Sequence, residues 1–468
     1  MVAKKFVLNE CKESNDEKKM SLTRLERLGY GFGHVLNDLC SSIWFTYSLL
    51  FYNSVLQFSN VNAGAILLIG QIADAVSTPF IGIFSDRTSL FCLSKYGKRK
   101  SWHLLGTVCV LVAMPFMYSP CIGCEDFSQW QKLIYYGFFV TIFQFGWAAV
   151  QTAHLALVPD LSSDEMDRTG LLSIRNTFTI LSNLISYAVT WGVLGVNGSS
   201  DNVSRSDLYK FQIIVYSLCV GGAVTSLLFY LLVKENDDEP PLLENDDTNR
   251  SSERLSFKDL FLRWILYQVA LVYTTTRVFV NVSQSFIVLY LHSYLNMESE
   301  SLAVIPFVMY VASFLSSWIC KPLYGFCGRK LAFSIGCLLA LGGCIWVFFG
   351  TGDIYISYGI YGVSILYGAA VSILLVTSLS VTAEMIGDDV GNSAFVYGIM
   401  SFADKFSCGL IIMVIQAMAP KNYLHSDFYK LSLIYVCGGA VIVGFFSVLA
   451  VRLPQRETSA PQNSPSVA

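Results

Sequence analysis

Apolar runs about twenty residues long recur twelve times along this chain, at 30–53, 62–84, 102–120, 132–157, 170–195, 211–233, 260–291, 301–320, 331–350, 354–382, 393–418 and 429–451. A helix needs roughly 20 such residues to cross a bilayer. In lipid every backbone N–H and C=O must be paired internally, so runs of this length predict membrane-spanning helices. Composition agrees: of 468 residues, 54% are hydrophobic and only 14% charged, against about 25% charged in soluble domains. These figures exclude a disordered chain, a nucleic-acid binder and a secreted disulfide scaffold. The thirteen cysteines lie mostly inside apolar runs rather than in a stapling framework. The expected class is an all-α polytopic membrane protein.

Residues 1–29 are polar and contain no apolar signal core, so the first span is expected to act as its own insertion signal. With the N-terminus placed in the cytosol, 23 of the 31 Lys and Arg residues fall on the cytosolic side. Lys132, Arg205, Lys210, Lys421 and Lys430 lie opposite, and Arg175, Arg277 and Lys405 lie inside spans. Cytosolic loops carry the excess of Lys and Arg, which predicts that both ends are cytosolic. Residues 234–259 are acidic, contain proline and lack apolar periodicity, which marks a linker. The layout is therefore a tail (1–29), six spans (30–233), the linker, six more spans (260–451) and a second tail (452–468). Each half has a basic loop between its second and third span, Ser85–Lys100 and Lys321–Lys330. Two six-helix bundles of this design predict the major facilitator fold.

Charge inside a span is costly, roughly 2.5–3.5 kcal/mol per residue on insertion scales, and so marks function or a functional ion pair. The intramembrane polar residues fall at helical spacings of 3, 4 and 7, which places each set on one face. Span 1 carries His34, Asn37, Asp38 and Ser41; span 2, Gln71, Asp74 and Thr78; span 4, Gln144, Trp147, Gln151 and His154. Span 5 carries Arg175, Thr179, Ser182 and Ser186; span 7, Thr274, Arg277, Asn281 and Gln284; span 11, Tyr397, Ser401, Asp404, Lys405 and Cys408. Six such stripes predict a common hydrated pathway, although the Ser and Thr members equally serve as hydrogen-bonding glue between helices. Neighbours on a helix point about 100° apart, so Asp404 and Lys405 are not expected to pair with each other. Anionic and cationic groups together suit a zwitterion, whose ammonium faces Asp and whose carboxylate faces Arg or Lys.

Several blocks carry a family resemblance: GFGHVLNDLCSSIWFTY (31–47), GQIADAVSTPFIGIFSDR (70–87), YGKRKSWHLLGTVCVL (96–111), SPCIGC (119–124), FQFGWA (143–148) and LVPDL (157–161). The second half continues with YTTTRVFVNVSQ (273–284), IPFVMYVASFLSS (305–317), KPLYGFCGRK (321–330), VTSLSVTAEMIG (376–387) and FVYGIMSFADK (395–405). In this order the blocks resemble the major facilitator superfamily domain-containing protein 12 family over nearly the whole chain. The resemblance implies a transporter bringing cysteine from the cytosol into lysosomes and pigment organelles. More distantly the chain resembles the melibiose-type glycoside–cation symporters. Their span-1 and span-2 acids, span-5 Arg and span-11 Lys fall on Asp38, Asp74, Arg175 and Lys405. A second span-2 carboxylate and a span-4 carboxylate fall instead on Thr78 and Gln151. A sodium site is built from clustered oxygens, preferably anionic, so these departures count against sodium coupling. Proton coupling, or movement down the substrate gradient alone, stays open.

Asp238-Glu239-Pro240-Pro241-Leu242-Leu243 fits the acidic dileucine pattern, with Asp238, Leu242 and Leu243 as the residues read by clathrin-adaptor complexes. Such a signal is an address and not an anchor. Sequons at Asn197 and Asn202 occupy the longest lumenal loop and predict glycosylation. Cys121 and Cys124 predict a loop disulfide or two free thiols. Asp86 and Arg87, followed by Gly97-Lys98-Arg99-Lys100, resemble the cytosolic gate of the superfamily. There is no nucleotide loop, zinc motif or nucleophile elbow, so no metal, cofactor or enzymatic activity is expected.

The expected site holds Asp38 and Asp74 toward a substrate ammonium and Arg175, Arg277 or Lys405 toward its carboxylate. Asn37, Gln151 and Asn281 complete it with neutral hydrogen bonds. The expected function is alternating-access transport of cysteine across the lysosomal or pigment-granule membrane. A sugar–cation symporter and a non-transporting scaffold or receptor are the rivals.

Overall fold

A computed structural model describes residues 22–87, 97–124, 126–162, 165–195, 203–234, 263–386, 393–420 and 427–451, at some helical positions by backbone alone. Asn197, Asn202, Asp238, Leu242 and Leu243 lie outside the described residues. Asp86 and Arg87 close the span-2 helix, and their side chains lie outside the description.

Span 1 is made of Arg24–Phe32 and Val35–Leu50 and ends in a π turn, Phe51–Val55. Thr23 and Glu26 form a capping box at its start. Spans 2 to 7 are Asn60–Arg87, Lys98–Met117, Gln129–Leu161, Glu165–Gly195, Leu208–Leu232 and Trp264–Ser293. Spans 8 and 9 run together through Ser301–Phe349 and turn at Gly328. Span 10 is Tyr355–Gly359, a π turn, followed by Ile360–Ile386; span 11 is Ser393–Met418. Span 12 joins Phe428–Ser432, a π turn at Leu433–Cys437, and Gly438–Ala450. Most of the helices match the apolar runs to within a few residues at each end.

Among the described residues ten helices are long and apolar enough to cross a membrane. The two outside that count are spans 1 and 7, for a physical reason. Span 1 is interrupted at Gly33 and His34, and span 7 is buried from Val278 to Ser293 at every position except Asn281. Helices enclosed by protein can carry polar residues that a lipid-facing helix cannot. The halves meet along three lines, span 1 on 7, span 2 on 11 and span 5 on 8. At the second of these Gly409 allows close approach, since a Cβ there would stand 3.0 Å from the Gln71 side chain.

The two halves repeat each other at residue level. Gly97 (φ 93°) precedes span 3 and Gly328 (φ 75°) precedes span 9, both in a left-handed conformation open to glycine. The lysine that follows then caps the last helix of the same half. Lys100 Nζ donates to the carbonyls of Val233 (2.6 Å) and Tyr230 (3.3 Å), and Lys330 Nζ to that of Leu449 (3.2 Å). The final carbonyls of a helix have no partner within it, and a cation there also favours the helix dipole.

Spans 1 and 7 begin, and 6 and 12 end, on one face, termed here the linker face; the opposite is the far face. Bonds between the halves concentrate toward the far face. Tyr47 donates to Leu302 O (3.3 Å), Ser285 to Phe45 O (2.8 Å), Asn60 to Pro420 O (3.2 Å) and Trp191 Nε1 to Glu300 (2.7 Å). His292 Nε2 and Ser54 Oγ lie 3.2 Å apart. Deeper in, Gln284 Nε2 reaches Thr46 Oγ1 (3.0 Å) and Tyr310 OH (2.8 Å), and Thr46 meets Tyr187 OH (2.7 Å). The halves are thus sealed on the far side. Cys121 and Cys124 form a disulfide in the loop after span 3, which resolves that alternative.

Candidate functional site

Beneath this seal the polar stripes converge in three linked groups. The first joins spans 1 and 5. Arg175 Nη2 donates to His34 Nε2 (2.9 Å), and His34 Nδ1 lies 2.8 Å from Asp38 Oδ2. Thr179 Oγ1 donates to the same carboxylate oxygen (2.8 Å). His34 and Asp38 sit four residues apart on one helical face, which brings them together.

The second group joins the halves. Lys405 Nζ of span 11 stands 2.7 Å from Asp74 Oδ1 and 3.0 Å from Thr78 Oγ1, both on span 2. It also lies 5.8 Å from the centre of the Trp147 ring on span 4. Asn37 connects this group to span 1 by donating to the Trp147 carbonyl (3.0 Å).

The third group joins spans 7 and 11. Arg277 Nε is 3.1 Å from Asp404 Oδ2, an ion pair without hydrogen-bond alignment, and its guanidinium lies over the Tyr273 ring at 5.5 Å. Its side chain is only partly enclosed by protein, at 36% exposed. Asn281 Nδ2 donates to Cys408 Sγ (3.2 Å), and that thiol donates to Asp404 Oδ1 (3.3 Å). Asp404 and Lys405 therefore face different partners, as their 100° separation requires.

Asn37, Asp38, Asp74, Arg175, Arg277, Asn281 and Lys405 all enter these groups. Gln151 is half-buried and has no side-chain hydrogen bond among the described residues. Asp404, His34, Thr179, Trp147 and Cys408 belong to the groups as well, although only their stripe positions announced them. Within these groups Asn37 Oδ1, Trp147 Nε1, Arg175 Nε and Arg277 Nε are buried without a hydrogen-bond partner among the described residues. Unpaired buried polar atoms are rare, and in a central site they mark places for water or a polar ligand. His154 instead serves structure: Nε2 meets Tyr30 O (2.7 Å), which also accepts from Gly33 N where span 1 breaks, and its ring stacks on Tyr30 at 4.1 Å.

Two helical halves, sealed on one face around a midplane cluster of both charge signs, define a secondary transporter of the major facilitator type. Residues 29–419 match the MFS/sugar transport protein family. Major facilitator superfamily domain-containing protein 12 of Homo sapiens is 39% identical over 416 residues, covering 85% of this chain and 86% of that protein. Its counterpart in Equus caballus is 39% identical over 454 residues, covering 92% and 94%. The chain belongs to the major facilitator superfamily domain-containing protein 12 family. Among solved structures, the inward-open xylose transporter XylE from E. coli shares the fold, with a TM-score of 0.64 at 14% identity over 92% of this chain and 97% of that one.

Proposed function

We propose that this transporter carries cysteine from the cytosol into the lumen of lysosomes or pigment organelles. The observation that carries this reading is the Asp74–Lys405 ion pair, in which each half supplies one charge. A zwitterion can exchange into such a pair without changing its net charge, with ammonium toward the carboxylate and carboxylate toward a cation. Arg175 and the partly exposed Arg277 offer further cations, and Asn37, Trp147 and Arg175 keep unpaired atoms for a polar solute. We further propose that the linker face is cytosolic and that the arrangement described here, sealed on the far side, takes its load from the linker face. The tails and the 234–259 linker then lie in the cytosol, where adaptors can read Asp238, Leu242 and Leu243. Asn197 and Asn202 would be glycosylated on the lumenal side.

The test is uptake of labelled cysteine into intact lysosomes with and without the protein, under reducing conditions and at varied pH on each side. Protein-dependent uptake is expected. Its absence in organelles that hold the folded protein would overturn the reading. Sugar–cation symport is the second reading, favoured by the match to the MFS/sugar transport protein family. Competition by sugars but not by cysteine, together with sodium dependence, would establish it instead.

A further inference from the structure

The surroundings of Lys405 have the makeup of a receptor for a primary ammonium. A carboxylate oxygen of Asp74 lies at 2.7 Å, the Thr78 hydroxyl at 3.0 Å and the Trp147 ring at 5.8 Å. Charge, hydrogen-bond acceptor and aromatic face are the three features by which such a cation is held. All three belong to the first half of the molecule, whereas the ammonium arrives from span 11 of the second. Among the described residues this is the one ion pair that crosses between the halves. Arg277 has its own carboxylate in Asp404, and Asp38 has His34 and Thr179. Lys405 and Asp74 therefore depend on each other.

We propose that Lys405 is a tethered stand-in for the ammonium of the substrate. In the empty carrier it fills the cage of Asp74, Thr78 and Trp147, and a primary-amine solute takes its place there on loading. The proposal rests on the reading that the solute bears an ammonium group. Its physical basis is that a carboxylate as enclosed as Asp74, 3% exposed, is strongly disfavoured without a compensating cation. The requirement is met by Lys405 or by the solute, so loaded and empty carriers can both change access. Displacing Lys405 also cuts the ion pair between the halves, which ties arrival of the solute to their relative movement.

The first experiment measures thermal unfolding of the full-length protein in lipid nanodiscs, with methylammonium chloride against sodium chloride of equal ionic strength. Methylammonium is expected to raise the melting temperature of Lys405→Ala by several degrees. It should leave the wild type and the double variant Asp74→Asn/Lys405→Ala unmoved. A folded Lys405→Ala protein that ignores methylammonium, or a double variant that responds as well, would overturn the proposal. Lys405→Gln serves in place of Lys405→Ala if the latter does not fold. The second experiment compares net uptake of labelled cysteine with cysteine–cysteine exchange in proteoliposomes. The Lys405 variant should keep exchange and lose net uptake, because only a loaded carrier then has Asp74 compensated. Undiminished net uptake would overturn the stand-in role. If the wild type moves no cysteine at all, the substrate reading fails, and the methylammonium response still decides the cage.

Discussion

Arg175 donates to Nε2 of His34 at 2.9 Å, and this contact fixes the state of the ring. Guanidinium has donors only, so Nε2 must present its lone pair, and the ring proton sits on Nδ1, 2.8 Å from Asp38. A neutral imidazole thus stands between a cation and an anion and satisfies both. The assembly has no net charge, which suits an enclosed position better than a bare Arg or Asp.

Protonating His34 would place a second N–H against the guanidinium and break the contact. With both nitrogens donating, the ring keeps Asp38 and loses Arg175. The arrangement sealed on the far face is therefore expected to lose population when the linker side is acidified through the His34 titration, and transport should fall with it. His34→Gln keeps a donor and an acceptor but does not titrate, so its pH profile should be flatter. Uptake against pH on the linker side, in wild type and His34→Gln, tests this; superimposable profiles would remove His34 from the response.

Asp74→Asn should destabilise the protein by stranding Lys405. Removing one partner of a buried pair costs roughly 3–5 kcal/mol. The Lys405 side chain is 13% exposed, which puts the expected loss at the lower end of that range. Asp74→Asn/Lys405→Gln should recover much of it, since neither side then holds an unmatched charge. Thermal unfolding of the two variants in nanodiscs gives the comparison. A double variant no more stable than Asp74→Asn would mean that the pair contributes little.

Much of this arrangement is legible in the sequence, and what is not has a common cause. Run length gives the spans to within a few residues, because the thickness of the bilayer imposes it. Periodicity puts Asp38 on the same face as His34 and separates Asp404 from Lys405, because those relations lie within one helix. Partners on different helices leave no such mark. Nothing local to span 11 shows that Lys405 meets Asp74 and Thr78, or that Asp404 turns to Arg277. The repeat between halves is obscured differently: Lys100 is three residues after its glycine and Lys330 only two, so matching by position misses a shared function.

Gln284 is expected to hold the far face shut. Its amide donates to Thr46 in the other half and to Tyr310 in its own, and sits 3.4 Å from Tyr187. Gln284→Leu keeps the approximate volume and removes these bonds, while Thr46 and Tyr187 still pair with each other. The bond to Thr46 crosses between the halves and that to Tyr310 does not, so the loss of roughly 1 kcal/mol across the interface corresponds to a change of about fivefold in the population open to the far side. Labelling of Leu302→Cys, fully buried under Tyr47, by an impermeant thiol reagent applied from the far face should quicken in the Gln284→Leu background. An unchanged rate would assign the seal to the other bridging bonds.

The two capping lysines should differ in worth despite their shared role. Lys100 is buried, and its ammonium donates to two carbonyls, the nearer at 2.6 Å. Water cannot easily replace it, so Lys100→Ala leaves the end of span 6 with buried, unpaired acceptors, a loss of about 1.5–3 kcal/mol. Lys330 is exposed and makes one bond at 3.2 Å. Solvent can take over there, and only the dipole contribution of about 0.3–1 kcal/mol should be lost. Thermal unfolding should therefore fall markedly in Lys100→Ala and little in Lys330→Ala. Neither lysine touches the central cluster, so uptake per folded molecule should be unchanged in both. Equal losses of stability would mean that burial does not set the value of the cap. A loss of uptake without a loss of stability would instead connect Lys100 to the movement of the halves.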